Sequence, residues 1–305
     1  MTESISFTDS SIVSGKDVTQ WISETVSLSD TVLINFHIYY PYLSESVSFT
    51  DAATGVVERD PIIRSTLEIT KDSNHDRQAF GMGMASLGDL DGNGAMDLAI
   101  GAAEGDRWYG NPASDIYWSH DKDGVVYITY MNTDGSIKST VTIDKDTSNG
   151  PGSGADSSYG KSIANLGDFD GDGVADIAVG MPGPHLSSTV KGEVNIHFMN
   201  ADGSVKSTVK IDGDTTNGPS LTAGDKYGSD IANMGDLDGD GVNDIAVGAE
   251  EDSSVADDDG AVYIHYLNAD GSVKSTVKIN ENTTNGPTVH SYGNYGNSVE
   301  NIGDL

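Results

Sequence analysis

Short apolar runs separated by clusters of Gly, Asp, Asn and Ser recur along most of this chain. One unit shows the pattern fully: "KSIANLGD" (161–168), "DIAVG" (176–180), "EVNIHFMN" (193–200) and "KSTVKI" (206–211). Each segment is short, and the third and fourth alternate in character, which is strand periodicity. A tight "ADGS" turn joins those two, a hairpin signal. No segment shows helical periodicity. The unit therefore predicts four short strands, with the apolar "IAVG" strand in an interior where both faces are covered.

The unit repeats. An aromatic-Gly pair opens each copy at Phe80-Gly81, Tyr159-Gly160, Tyr227-Gly228 and Tyr295-Gly296, and an Asp-rich loop begins at Asp89, Asp168, Asp236 and Asp304. Both series share the same steps, a longer first interval and then two equal ones. The strand ending each unit recurs as "RSTLEIT" (64–70), "KSTVTID" (138–144), "KSTVKID" (206–212) and "KSTVKIN" (274–280). Four strands per repeat predict an all-β architecture of propeller blades, with a solenoid as the competing arrangement. Three blades are complete, over roughly 80–145, 159–213 and 227–281. The fourth loop stops after Asp304, so the expectation is a partial propeller cut from a longer protein.

A different repeat precedes these. "ESISFTD", "ETVSLSD" and "ESVSFTD" start at Glu3, Glu24 and Glu45, a period of 21. Residues 1–51 read as short Ser-rich strand-like repeats, stalk-like or partly disordered, and 52–61 as a linker to the segment 62–305.

Charge sharpens the picture. The 305 residues carry 48 acidic and 16 basic side chains, a formal net charge of -32. Such a chain repels nucleic acid and anionic membranes, which argues against both as partners. No run is long and apolar enough to span a bilayer, so no direct membrane insertion is expected. No signal-peptide pattern is visible. Cysteine is absent, which removes disulfides and thiolate metal sites. A solvated acidic surface of the halophilic kind is the plain alternative for the charge.

Much of the acid lies in the loops. The first offers Asp89, Asp91, Asn93, Ala95 and Asp97 at positions 1, 3, 5, 7 and 9; the second Asp168, Asp170, Asp172, Val174 and Asp176; the third Asp236, Asp238, Asp240, Val242 and Asp244. Gly at positions 4 and 6 permits the positive φ of a tight turn. Alternate side chains can then face one centre, and the apolar position 7 offers its backbone carbonyl. Many hard oxygen donors in a flexible loop fit Ca2+, at about 2.3–2.6 Å, better than Mg2+ or zinc. About three ions per chain follow from three loops. An EF-hand would need Glu at position 12, where Ile100, Val179 and Val247 stand. Plain Asp-Gly turns are the competing account, and three aligned copies weigh against it.

"FG" followed by "LGDLDGNGAMDLAIGA" resembles the FG-GAP repeat of integrin alpha-chain β-propellers and of related bacterial and archaeal surface proteins. The resemblance covers 62–305. It departs at the degraded GAP element (Gly101-Ala102-Ala103, Gly180-Met181-Pro182, Gly248-Ala249-Glu250) and at Gly83, which stands where Ser162 stands in the next unit. It implies a seven-bladed propeller with structural Ca2+ loops between strands one and two of some blades, on the face opposite the ligand.

The first blade carries an insertion. The stretch from Gly101 to Gly124 is nearly twice as long as its counterparts, Gly180 to Gly192 and Gly248 to Gly260. The excess, within 104–123, holds Arg107, Trp108, Tyr109, Tyr117 and Trp118, residue types enriched at binding hot spots. By the resemblance, loops between strands two and three line the ligand face, making this the candidate ligand site; aromatics that merely anchor a long loop are the alternative. The seven histidines show no recurrent pairing with a base or nucleophile, so no enzyme activity is expected. The reading is a calcium-stabilised, cell-surface or secreted module that binds protein or glycan. A structural surface-layer or stalk component, and an accessory propeller of a secreted enzyme, are the alternatives.

Overall fold

The computed structural model describes residues 80–103, 106–107, 121–152, 157–183, 190–253, 259–289 and 292–303, with 106–107 and 121–122 as backbone only. The N-terminal repeats, the linker and the strand expected at 64–70 lie outside the described residues. So do Trp108, Tyr109, Tyr117 and Trp118.

The described residues form strands and turns, with no helix among them. The first blade comprises β1 (Phe80–Gly88), β2 (Asp97–Ala102), β5 (Val125–Met131) and β6 (Ile137–Ile143). The second comprises β7 (Ile163–Gly167), β8 (Asp176–Met181), β9 (Glu193–Met199) and β10 (Val205–Ile211). The third comprises β11 (Tyr227–Gly235), β12 (Asp244–Ala249), β13 (Ala261–Leu267) and β14 (Val273–Ile279). Each is a four-stranded antiparallel meander in chain order. The expected all-β partial propeller is what the structure shows. In sequence the first-blade insertion reads as a long loop; its base instead closes as a small ribbon of β3 (Asp106–Arg107) and β4 (Asp121–Lys122).

Hydrophobic pattern explains each strand's place. Every residue of β8 and of β12 is buried, as strands covered on both faces must be. Ile177, Val179, Ile245 and Val247 are wholly buried, each worth about 1.5–3 kcal/mol of transfer free energy. The last strands are the most exposed: in β10 only the ends, Val205 and Ile211, are buried, while Lys206, Ser207 and Lys210 are exposed. Side-chain clusters fill the spaces between adjacent blades. One joins Val126, Ile128 and Ile143 to Ile163, Ile177 and Val179; the next joins Leu166, Val194 and Ile196 to Ile231, Ile245 and Val247.

The aromatic-Gly pair marks where one blade meets the next. Gly124, Gly192 and Gly260 form parallel bridges to Tyr159, Tyr227 and Tyr295. The glycine in the second strand packs backbone to backbone against the glycine of the following pair. A Cβ on Gly101, Gly180 or Gly248 would lie 1.9, 2.1 or 1.8 Å from the carbonyl oxygen of Gly160, Gly228 or Gly296. The inner strands add a ladder of amides: Asn165 Nδ2 donates to Ser86 O (2.6 Å), Asn233 Nδ2 to Asn165 O (2.9 Å) and Asn301 Nδ2 to Asn233 O (3.1 Å). On the outer side, Tyr130 Oη donates to Ala201 O in the next blade's hairpin turn (2.7 Å). The regular spacing of the sequence repeats thus records one blade-to-blade contact set used again and again.

The glycine contact yields a sharp expectation. Gly180→Ala forces a methyl into a carbonyl that cannot retreat without moving the blade. We expect a loss of about 2–4 kcal/mol in chemical denaturation. A loss below about 0.5 kcal/mol, the range of an ordinary surface substitution, would show that the blades separate easily at this seam.

Candidate metal-binding loops

Each Asp-rich loop joins the first strand of a blade to the second. Glycines at positions 4 and 6 bend it: Gly92, Gly94, Gly171, Gly173, Gly239 and Gly241 all have φ between 75° and 90°. Nothing lies within 4 Å of where their Cβ atoms would be, so the backbone angle, not space, selects glycine there.

Carboxylates of the loop organise its own amides. Asp236 Oδ1 accepts from the N–H of Gly239 and Asp240 (2.7 and 2.9 Å), and its Oδ2 from Gly241 (2.8 Å). Asp89 accepts likewise from Asn93 and Gly94. At position 5, Asn93, Asp172 and Asp240 each accept from the N–H of position 7. That leaves the carbonyls of Ala95, Val174 and Val242 as the oxygens these positions can offer. Val174 and Val242 also turn their side chains against the hydrophobic clusters.

Position 9 is different in kind. Asp97, Asp176 and Asp244 are completely buried. One oxygen accepts from the loop, at Leu90, Phe169 or Leu237 (2.8, 3.0 and 2.9 Å). The other accepts from the last amide of the third strand, at Met131, Met199 or Leu267 (2.8, 2.8 and 3.0 Å). This carboxylate ties the loop to the far side of its blade. Burial raises Asp176 to about 6 and also raises Asp244, against the pull of those amide donors.

The sequence groups five positions per loop, and the structure brings carboxylate oxygens of three together in each. These are Asp89, Asp91 and Asp97; Asp168, Asp170 and Asp172; and Asp236, Asp238 and Asp244, all within 4.8 Å of one another. Like charges at that separation repel by on the order of 1 kcal/mol per pair even at the dielectric of water. All the donors are oxygen, several are anionic, and the loop is turn-shaped. The set fits a hard cation such as Ca2+. A lysine from the fourth strand also reaches each loop: Lys138 to Asp91 (2.7 Å), Lys206 to Asp170 and Asp172 (2.6 and 2.8 Å), and Lys274 to Asp238 and Asp240 (2.6 and 2.8 Å). Of the candidate ligand loop, the structure places the Arg107 backbone in β3, paired with Asp121; its aromatics lie outside the described residues.

Comparison with known proteins agrees with this geometry. The FG-GAP repeat pattern matches residues 159–194 and 228–265, the cores of the second and third blades. The chain is similar to integrin alpha-4 of Xenopus laevis, 34% identical over 99 residues, covering 32% of this chain and 9% of that protein. It is similar to integrin alpha-6 of Gallus gallus, 34% identical over 176 residues (57% of this chain, 14% of the relative). Integrin alpha-6 of Homo sapiens is 31% identical over 178 residues (57% and 13%). The second and third blades thus carry FG-GAP repeats, and the chain is similar to integrin alpha chains over part of its length. The chain spans no more than 14% of the length of these curated relatives.

In sequence the histidines show no partners. The structure gives two of them recurrent ones, in equivalent places of the second and third blades. Tyr159 Oη contacts His197 Nε2 (2.8 Å), and His197 Nδ1 contacts Thr208 Oγ1 (2.6 Å). Tyr227, His265 and Thr276 repeat this at 2.7 and 2.8 Å. Each threonine hydroxyl donates to a backbone carbonyl, of Asn149 or Asn217. It must therefore accept from Nδ1–H, which leaves Nε2 to accept from the tyrosine. Both imidazoles are wholly buried and their hydrogen bonds are committed, so the chain of groups is structural. The signal was present in the matching positions of His197 and His265 within their repeats. Among the described residues, a further buried cluster occurs in the third blade. Asp252 there accepts from Lys278 Nζ (2.8 and 2.7 Å) and from Tyr263 Oη (2.8 Å); no repeat advertised it.

Burial depresses both histidines from 6.5 to about 3. Below pH 6.5 the unfolded chain then binds more protons at these sites than the folded one. Their contribution to stability is full above 6.5 and falls towards about 3. Asp176, raised to about 6, has the opposite sign, so a difference measurement isolates the histidine. Between pH 6 and 4, His197→Gln should reduce the slope of unfolding free energy against pH by about 1.4 kcal/mol per unit. An unchanged slope would mean that His197 is protonated in the folded protein.

Proposed function

We propose that this chain is a calcium-stabilised, integrin-like β-propeller module of a cell-surface or secreted protein that binds protein or glycan ligands. The observation that carries the calcium reading is the convergence of carboxylates at one place in every described blade. Positions 1, 3, 5 and 9 supply side-chain oxygens, and position 7 its carbonyl. The ion offsets repulsion among the carboxylates and fixes the loop against the third strand. Extracellular placement follows from that requirement, because Ca2+ there is abundant enough to fill moderate-affinity sites. Similarity to integrin alpha chains supports the adhesive reading and a non-enzymatic role.

The three loops lie at one end of each blade, on the connection between strands one and two. The insertion of the first blade leaves from the connection between strands two and three, at the other end of β2. Metal and ligand are thus assigned to opposite faces, with Arg107, Trp108, Tyr109, Tyr117 and Trp118 as the ligand-contacting set. The blade stack acts as a rigid scaffold for that loop, the usual division of labour between framework and binding loop.

Calorimetric titration of EDTA-stripped protein should show about three Ca2+ ions bound per chain, in line with one per loop, and a raised melting temperature. Asp170→Ala should remove one ion and leave the others. Full stoichiometry in that variant would exclude Asp170 as a ligand, and no uptake by the parent protein would leave the loops as solvated turns.

A further inference from the structure

The lysine that reaches each loop is placed there by a backbone irregularity. In the second blade, Val205 pairs with Met199 and Ser207 with Phe198, leaving Lys206 as the extra residue of a β-bulge. In the third, Val273 pairs with Leu267 and Ser275 with Tyr266, leaving Lys274 extra. In the first, Ile137 pairs with Met131 and Ser139 with Tyr130, leaving Lys138 extra. A bulge re-aims the side chain it carries. The three bulges lie opposite the end of the third strand, the point where the buried position-9 aspartate holds the loop. Basic residues are scarce, 16 against 48 acids, and three of them are committed to this one position in the blade.

We infer that Lys138, Lys206 and Lys274 are the loops' resident counter-ions, holding the carboxylates together without metal and weakening divalent-cation binding when metal arrives. The metal half of this inference rests on the calcium reading above; the metal-free half does not. Each ammonium bonds the Oδ2 atoms of position 3 and, where position 5 is acidic, of position 5. A divalent ion entering the loop meets a positive charge already bound to its own ligands, and the two repel. The device is graded. Asn93 replaces the acid at position 5 of the first loop, and Lys138 accordingly bonds one carboxylate where Lys206 and Lys274 bond two.

The test compares the full chain with Lys206→Met, Lys138→Met and Lys206→Arg. In EDTA at low salt, Lys206→Met should melt about 2–4 °C lower, Lys138→Met should lose less, and Lys206→Arg should match the parent. Added NaCl should shrink the gap. In Ca2+ titration, one site of Lys206→Met should bind on the order of tenfold tighter. A role in packing alone would not move affinity in that direction. Unchanged melting and unchanged affinity would reduce the lysine to an ordinary surface pair, and weaker Ca2+ binding would make it a scaffold for the metal; either result overturns the inference. Should the parent protein take up no Ca2+, the calcium reading falls. The EDTA melts then decide alone: a lower melt for Lys206→Met keeps the lysine as the loop's counter-ion, and an equal melt removes it.

Discussion

A fully buried carboxylate at the start of every second strand is the constraint on which the blades turn. Asp97, Asp176 and Asp244 each bind one amide of the Asp-rich loop and the terminal amide of the third strand. Without that side chain the loop loses its tie to the last N–H of the third strand, which is left without this acceptor. Yet burial disfavours the charge, as the upward displacement of Asp176 and Asp244 shows. Other loop carboxylates stand beside Asp97 and Asp244, and the charge of Asp170 acts on Asp176. A buried anion among anions needs positive charge nearby. The structure shows one source, the bulged lysine, and we assign a second to Ca2+.

From this point order passes outward by contact. The loop fixes the ends of the first and second strands. The first strand carries the asparagine that hooks the preceding blade, and the second carries the glycine that packs on the following one. Loop, blade and stack are therefore linked through backbone, with little room for adjustment at the glycine seams. A scaffold of that kind suits the display of a long loop such as the one inserted in the first blade, because scaffold rigidity lowers the entropic cost of presenting it.

Much of this was legible in the sequence, for identifiable reasons. Strand count and order followed from apolar runs and from "ADGS" turns whose glycines do adopt positive φ. Loop glycines and the alternate aspartates followed from turn chemistry. What the sequence hides depends on juxtaposition across strands. Lys206 reads as a plain strand residue until the bulge beside it is known, and nothing in "KSTVKI" marks a bulge. His197 and Tyr159 are far apart in the chain and meet only once the blade closes. The full burial of Asp176 is equally hidden, since the other acids of its loop, Asp168, Asp170 and Asp172, are exposed. The β3–β4 ribbon is invisible because such short pairings carry too little periodicity to be read.

The most direct test of the central claim is amide hydrogen exchange at Met131, Met199 and Leu267, with and without Ca2+. These N–H groups donate to the buried aspartates, so they report the closure of each loop on its blade. If the cation completes the charge balance of the loops, exchange at all three should slow by at least about tenfold on adding Ca2+, while strand-centre amides such as Val179 and Val247 change little. Equal exchange rates in EDTA and in Ca2+ would contradict the account. The loops would then be held to their blades by hydrogen bonds and lysine alone.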